Sequence, residues 1–285
     1  MEIELTGRAV EQLLRAAVGN PMTTAMYEGL CAGSAQSLVR GVVVCYAPTL
    51  ALLRRAAKER KNLIMSREHP FFLHGGWNYS YATGGLEAAL KDDPVVRAKR
   101  EVITANQMIV YRFGALWDQF RPKAQSLALA HALGLTAIAP APNDRARGVV
   151  CDVPRTTPLA LAQTAADRLK IFSPRIVGEP KASVTRVAVM PGETDPKQAL
   201  AHLLADPRVD GVIAGAGGVN DEVDGALSYF QDVIASGRRV ALLVIGYGPS
   251  QDPGCAEMAR WMQTVLPGLA IEWWPTPDPS WIPRS

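Results

Sequence analysis

The stretch Leu63-Ile64-Met65-Ser66-Arg67-Glu68-His69-Pro70-Phe71 places an acidic residue and a histidine directly after a short apolar run. Three consecutive large apolar residues predict a buried strand. In open parallel sheets, ligands bind in the crevice beyond the carboxyl ends of the strands. Glutamate and histidine are also side chains that bind metal ions in proteins. The stretch therefore predicts a strand end that carries a functional site, with Glu68 and His69 as candidate ligands.

The residues before this run complete a β-α-β unit. Val39 to Cys45 has the composition of a buried strand, and Thr49 to Lys61 has apolar residues at helical spacing. Leu63 to Met65 then supplies the second strand. A strand, a helix and a second strand in this order are typical of a parallel sheet covered by helices.

The same pattern recurs in the second half of the chain. Val184 to Met190 reads as a strand, residues 197–204 as a helix and residues 209–214 as another strand. Each copy is followed by one more helix and strand: 95–106 and 108–111 in the first, 227–236 and 240–245 in the second. We therefore predict an α/β fold of three layers, α/β/α, built from internally duplicated β-α-β halves with mostly parallel sheets.

The predicted domain boundaries follow from this duplication. Residues 1–136 form the first α/β half and residues 184–285 the second. Residues 137–183 begin with a stretch rich in proline and charge, which predicts a crossover connection between the halves.

The composition limits the classes of function. The chain has 285 residues and is 48% hydrophobic, which is ample for a buried core, and its net charge is only +3. Because no dense block of lysine and arginine is present, nucleic-acid binding has no strong electrostatic support. The four cysteines are scattered without a CxxC motif, which favours a reduced, cytoplasmic compartment. We expect neither a signal peptide nor a membrane span.

Two further strand ends carry polar residues. Asp118 follows the predicted strand 108–111 and could be a carboxylate ligand, a helix cap or a salt-bridge partner. Tyr247 and Gln251 lie in the predicted loop 246–254, and both are poor metal ligands. His74 lies five residues beyond His69 and is another candidate lining residue.

A glycine cluster at residues 215–218 invites a nucleotide-binding interpretation. It lacks the third glycine of a dinucleotide motif and the Lys-Ser/Thr of a P-loop. Asp221, Glu222 and Asp224 follow at once and would repel phosphate. A nucleotide-binding oxidoreductase is therefore the weakest interpretation.

The order of these segments resembles that of the Nif-three-like proteins, a family of hexamers with a dinuclear metal centre, often labelled type 2 GTP cyclohydrolase I. The resemblance rests on four segments in order: Gly29 to Gly33 with Val39 to Val42, Asn62 to Phe71, Val184 to Gly192, and Gly246 to Trp261. It implies a Nif-three-like fold, a hexameric homo-oligomer arranged as a trimer of dimers, a small-molecule ligand, and two divalent metals bound by residues of the three strand ends.

This sequence departs from the family's ligand pattern. Glu68 and His69 keep the place of the first ligand motif, but Gly114-Ala115 replaces the family's histidine-containing segment and leaves Asp118 as the nearby carboxylate. The family's later histidine and glutamate fall on Tyr247 and Gln251. Two neighbouring divalent ions need several anionic ligands. The resemblance therefore predicts at most one ion, Zn, Mn or Fe, held by Glu68, His69 and Asp118, or a vacant polar pocket that His74, Tyr247 and Gln251 also line.

Two functions follow from these alternatives. The first is a metal-dependent hydrolase of a small heterocyclic or phosphorylated compound, in which Glu68 and Asp118 act as catalytic ligand or base. The second is a non-catalytic oligomeric scaffold or small-molecule-binding protein that has lost the dinuclear centre.

Overall fold

The computed structural model describes residues 4–19, 28–71, 92–140, 148–193, 196–216 and 226–278. His74 and the end of the glycine cluster lie outside these residues. The chain divides into two compact units. The first unit contains residues 1–121 and 255–275, and the second contains residues 122–254 and 276–285.

Eleven strands and nine helices are present in the described ranges. The strands are β1 (Gly29–Gly33), β2 (Val42–Cys45), β3 (Leu63–Ser66), β4 (Ile109–Arg112), β5 (Thr136–Pro140), β6 (Val149–Thr156), β7 (Arg175–Val177), β8 (Val184–Glu193), β9 (Gly211–Ala216), β10 (Ala241–Val244) and β11 (Ile271–Trp273). The helices are α1 (Gly7–Ala17), α2 (Leu50–Lys58), α3 (Pro94–Ala105), α4 (Ala115–Phe120), α5 (Ala124–Ala132), α6 (Pro158–Leu169), α7 (Pro196–Ala205), α8 (Ala226–Ala235) and α9 (Tyr247–Val265). No helix in this part of the chain is both long and apolar enough to span a membrane.

The first unit contains a five-stranded sheet in the order β1-β4-β3-β2-β11. Strands β4, β3, β2 and β11 run parallel, and β1 pairs with β4 in the antiparallel direction. Alternate residues of β2, β3 and β4 form one core cluster with Leu53 of α2 and Ile103 of α3. The predicted β-α-β unit is therefore confirmed. Thr49 caps α2, since its hydroxyl accepts the N–H of Leu52.

The second unit contains a six-stranded mixed sheet in the order β5-β6-β8-β9-β10-β7. Strands β8, β9 and β10 run parallel, whereas β5, β6 and β7 add antiparallel pairs at the two sides. Val187 and Val189 pack in one core cluster with residues of α5 and α6. Ala188 belongs to a second cluster with residues of α7 and α8. Because successive strand residues face opposite sides of a sheet, this unit has the three-layer α/β/α arrangement.

Residues 137–183 are the segment that the sequence predicts as a crossover connection. They contribute most of β5 and all of β6, α6 and β7, which are regular elements of the second unit. Two prolines of this segment, Pro154 and Pro158, are compatible with these regular elements. Pro154 lies where the pairing of β6 with β8 shifts register, so its missing N–H interrupts no regular ladder. Pro158 is the first residue of α6, where a helix needs no N–H donor.

Candidate functional site

The end of β3 is held to the neighbouring strand beyond the last paired residue. The Arg67 N–H donates to the Cys45 carbonyl at 3.1 Å, and the Glu68 N–H donates to the Tyr46 carbonyl at 2.9 Å. The Ser66 hydroxyl lies 2.8 Å from the Glu68 carbonyl oxygen and donates to it. These bonds fix the backbone on which the candidate ligands Glu68 and His69 stand.

His69 is buried, and its ring accepts a hydrogen bond from the adjacent backbone. The Phe71 N–H donates to Nδ1 of His69 at 3.1 Å, and the two rings pack edge to face with their centroids 5.8 Å apart. An Nδ1 that accepts a hydrogen bond carries no proton, so the neutral ring carries its proton on Nε2. A histidine that binds metal through Nε2 normally donates from Nδ1 instead. This arrangement is therefore the opposite of a typical Nε2 metal ligand.

A buried lysine holds the next turn of the chain. Lys99 lies on α3, and its ammonium donates to the Pro70 carbonyl at 2.6 Å. Burial lowers the pKa of Lys99. This bond explains how the buried Lys99 amine is tolerated: the Pro70 carbonyl compensates part of the solvation that the amine loses on burial.

Asp118 lies on α4 and forms a bidentate ion pair with Arg67. Nη1 of Arg67 is 3.0 Å from Oδ1 of Asp118, and Nη2 is 2.5 Å from Oδ2. The Arg67 side chain is 11% exposed and the Asp118 side chain 32%. The sequence leaves three roles open for Asp118: metal ligand, helix cap or salt-bridge partner. In the structure Asp118 is a salt-bridge partner. Both carboxylate oxygens accept from one guanidinium, the strongest geometry for such a pair.

Gly114 allows α4 to begin against Arg67. A Cβ at position 114 would lie 2.9 Å from the Arg67 carbonyl oxygen. That oxygen also accepts from Nε of Arg112 at 3.0 Å. Glu28 caps the start of α4, accepting the N–H groups of Gly114 at 3.3 Å and Leu116 at 3.1 Å. Burial raises the pKa of Glu28 above its ordinary value, although these hydrogen bonds and Arg112 oppose the shift.

A small pocket adjoins these strand ends within the first unit. Its enclosed volume is about 10 Å³, and its lining includes Met65 of β3, Arg112 of β4, and Leu116 of α4. Tyr111 also lines it, and its hydroxyl donates to a carboxylate oxygen of Glu11 at 3.0 Å. The pocket walls are thus mainly apolar, with polar groups that are already paired with one another.

The second unit presents the other predicted strand end. Helix α9 begins at Tyr247, so the segment predicted as a loop over 246–254 is helical instead. The Ser250 hydroxyl donates to the Tyr247 carbonyl at 2.7 Å and accepts the Gly192 N–H at 2.9 Å. Pro249 fits because it lies in the first turn, where helical N–H groups have no carbonyl to bond. Ser250 therefore ties the end of β8 to the start of α9.

Gln251 is buried and Tyr247 is exposed. Gly192 has a φ of 78°, and a Cβ there would lie 3.3 Å from Nε2 of Gln251, so the amide packs closely on this glycine. The Gln251 side chain is a neutral amide and supplies no negative charge.

Residues 15–222 match the sequence model of the family Duf34/NIF3 (NGG1p interacting factor 3). The chain belongs to this DUF34/NIF3 family. No curated protein sequence matches it.

Solved structures share the α/β fold of this chain over most of its length. The hypothetical protein SA1388 of Staphylococcus aureus is 17% identical, with a TM-score of 0.70 over 95% of this chain and 97% of that one. A Bacillus cereus protein related to NIF3 is 14% identical, with a TM-score of 0.70 over 98% and 99%. HcgD from Methanocaldococcus jannaschii is 13% identical, with a TM-score of 0.62 over 96% and 99%. At these identities the likeness shows the fold alone.

In this DUF34/NIF3 chain, the described residues after β3 and β4 do not have the arrangement of a divalent-ion site. Within the described ranges, no three or more histidine, cysteine, aspartate or glutamate side chains form a group that could hold a metal. Asp118 gives both oxygens to Arg67, and Nδ1 of His69 accepts from the backbone. The roles assigned to Glu68, His69 and Asp118 as ligands or catalytic groups stay predictions.

Arg67 is the residue that the sequence reasoning missed at this DUF34/NIF3 site. It stands in the quoted stretch, next to Glu68, yet only its neighbours were considered as functional. A signal was available: β3 and β4 are parallel neighbours with Ser66 opposite Arg112, so an arginine just after β3 lies at the same sheet edge as the helix that follows β4 and carries Asp118. No comparable sequence pattern points to Glu28, which lies 86 residues before Gly114 and far from the strand ends in sequence.

Proposed function

We propose that this DUF34/NIF3 protein acts without a metal centre, as a non-catalytic oligomeric scaffold or small-molecule-binding protein. The observation that carries the proposal is the bidentate pair of Arg67 and Asp118. Asp118, the candidate carboxylate beyond β4, already has a cation, so a divalent ion would have to displace a guanidinium that is 11% exposed. Leaving that charge without its partner is costly.

Three further observations support this proposal. Gln251 is a buried neutral amide and offers no anionic ligand. The hydrogen bond from the Phe71 backbone uses Nδ1 of His69. The small pocket beside β3 and β4 has mainly apolar walls, whereas a hydrated divalent ion needs oxygen ligands around it.

Metal analysis of the purified protein tests the proposal. We expect protein expressed in medium supplemented with zinc, manganese and iron to contain far less than one ion per chain. E68Q and H69N should leave the native mass unchanged, because in this proposal neither side chain holds an ion that the assembly needs. Asparagine at position 69 can still present an acceptor to the backbone. About one ion per chain, lost in H69A, would refute the proposal.

The second candidate function is the metal-dependent hydrolase with a single Zn, Mn or Fe ion. It is favoured by the adjacent Glu68 and His69 at the end of β3, with Asp118 beyond the neighbouring strand β4. It requires Asp118 to release Arg67. The same metal analysis separates the two candidates, since only the hydrolase needs an ion that both H69A and D118N remove.

A further inference from the structure

We propose that Phe172 is the docking surface for residues 279–285 of the same chain, with the indole of Trp281 packed against the Phe172 ring. Phe172 lies in the turn between α6 and β7, and residues 276–285 belong to the same compact unit as this turn. The inference does not depend on the proposed function, because it involves none of the strand-end residues discussed above.

The first step is the exposure of Phe172. Its side chain is 55% exposed, whereas Ile171 before it is buried in the core of the second unit. The nearby Leu169 and Pro174 are half-buried. A single exposed phenyl ring is ordinary on a protein surface. This one differs because another part of the chain is bonded directly to its backbone.

The second step is that bond, which fixes where the chain enters residue 279. The Thr276 N–H donates to Oδ2 of Asp252 on α9 at 3.0 Å. The Phe172 N–H donates to Oδ2 of Asp278 at 3.1 Å. Both ends of the short segment 276–278 are therefore tied to the second unit, and Asp278 turns its side chain toward Phe172.

The third step is the direction in which the chain continues. The sequence has a proline at each of positions 275, 277, 279 and 283. Proline fixes its own φ and disfavours the helical conformation in the residue before it, so this segment favours polyproline II. That conformation has three residues per turn, which puts Trp281 on the same side as Asp278, roughly 9 Å farther along. Trp281 is therefore within reach of the Phe172 ring.

The fourth step is the free energy available to the contact. A tryptophan gains more than most residues by leaving water, and two aromatic rings in an offset or edge-to-face arrangement add to this gain. Ordering the segment costs conformational entropy. The prolines at positions 279 and 283 reduce that cost, because they already restrict the undocked chain.

Fluorine NMR of the full-length protein labelled with 5-fluorotryptophan tests the docking. The Trp281 resonance is the one of the six tryptophan resonances that W281F removes. We expect it away from its position in urea-unfolded protein, and we expect F172S to move it toward that position. L204S is the matched control, since Leu204 is 69% exposed on α7 of the same unit. A Trp281 resonance at the unfolded position in the wild type, or one that F172S leaves unchanged, would overturn the inference.

A double-mutant cycle separates a contact between the two rings from separate structural roles. W281S should lower the melting temperature by about 2–4 °C. F172S/W281S should lose less than the sum of the two single losses, because the second substitution finds the contact already gone. L204S/W281S should be additive. Additive losses in F172S/W281S would contradict the inference, and F172A takes the place of F172S if the serine variant cannot be purified.

Mixed oligomers decide whether the segment docks on its own chain or on a second copy. In oligomers assembled from labelled F172S chains and unlabelled W281S chains, no chain has both rings, so a contact within one chain cannot form. A contact between chains can still form. We expect the Trp281 resonance of these oligomers to match that of F172S alone. Return of the docked resonance would assign the surface to a second copy and overturn the inference.

Discussion

Gly215, near the end of β9, has no room for a methyl group. A Cβ there would lie 2.3 Å from both the Gly192 carbonyl oxygen and the Ser250 hydroxyl. One of these atoms is backbone, and the other holds β8 to α9, so neither can move cheaply. We expect G215A to lower the free energy of unfolding by about 1–3 kcal/mol, as overpacking does elsewhere. Urea unfolding measures this loss.

Gly268 provides the matched control for that measurement. A Cβ at this position meets nothing within 4 Å, so the same chemical change adds no clash there. G268A should leave stability unchanged or raise it slightly, because alanine restricts the unfolded chain more than glycine does. Equal losses in both variants would show that the crowding around Gly215 is not the cause.

Single residues were the hardest part of the site to predict. Glu68, His69 and Asp118 were identified because their side-chain chemistry is that of metal ligands. Their partners decide what they do: Arg67, distant in sequence, pairs with Asp118, and the Phe71 N–H, two residues on, donates to His69. A sequence names the donors and acceptors, but which of them already satisfy one another depends on tertiary contacts.

Arg186 joins three elements of the second unit. Its Nε lies 2.6 Å from Asp152 of β6, and its Nη1 lies 2.6 Å from Asp206, directly after α7. Arg208 also bonds Asp206, at 2.9 Å. Hydrogen bonds from Arg208, together with Arg186, hold the pKa of Asp206 well below its ordinary value. The Arg186 guanidinium likewise lowers the pKa of Asp152.

These shifts predict a loss of stability in acid. A carboxyl whose pKa is lower in the folded than in the unfolded state stabilises the fold above the unfolded value of about 3.9. The contribution disappears as pH falls through the lower folded value. We expect D206N to melt about 2–4 °C below the wild type at pH 7, and the gap to shrink below about pH 4.

A thermal scan across pH with D232N as control checks this expectation. Asp232 is an exposed carboxylate on α8, so its substitution changes the net charge equally without touching Arg186. A gap between D206N and wild type that persists unchanged at pH 2 would rule out the ionised carboxylate as its source.

Elements were predicted well where the pattern is local. The helix predicted over 95–106 is found at Pro94–Ala105, and the strand predicted over 108–111 at Ile109–Arg112. The error over 246–254 has a definite cause: its prolines and glycines resemble a loop, yet Pro249 occupies a first helical turn that tolerates it. A proline signals a helix start as readily as a break.

At the scale of the whole chain, the duplication is visible as two similar chain paths. Each passes through three parallel strands, β2-β3-β4 in the first unit and β8-β9-β10 in the second. The recurring apolar pattern predicted this. It could not predict that residues 255–275 return to the first unit, where β11 pairs with β2, because a pairing so distant in sequence leaves no local signal.

The assembly provides a final test of whether metal matters to this protein. The family resemblance implies a hexamer, and we predict a native mass six times that of one chain. If Arg67 supplies the cation at Asp118, this pair and the bond from Lys99 to the Pro70 carbonyl hold the end of β3 in place of an ion. The hexamer should therefore persist in excess EDTA. Native mass spectrometry or light scattering before and after chelation measures this directly. Dissociation by EDTA, reversed by a divalent ion, would show that a metal supports the assembly and would contradict the metal-independent function.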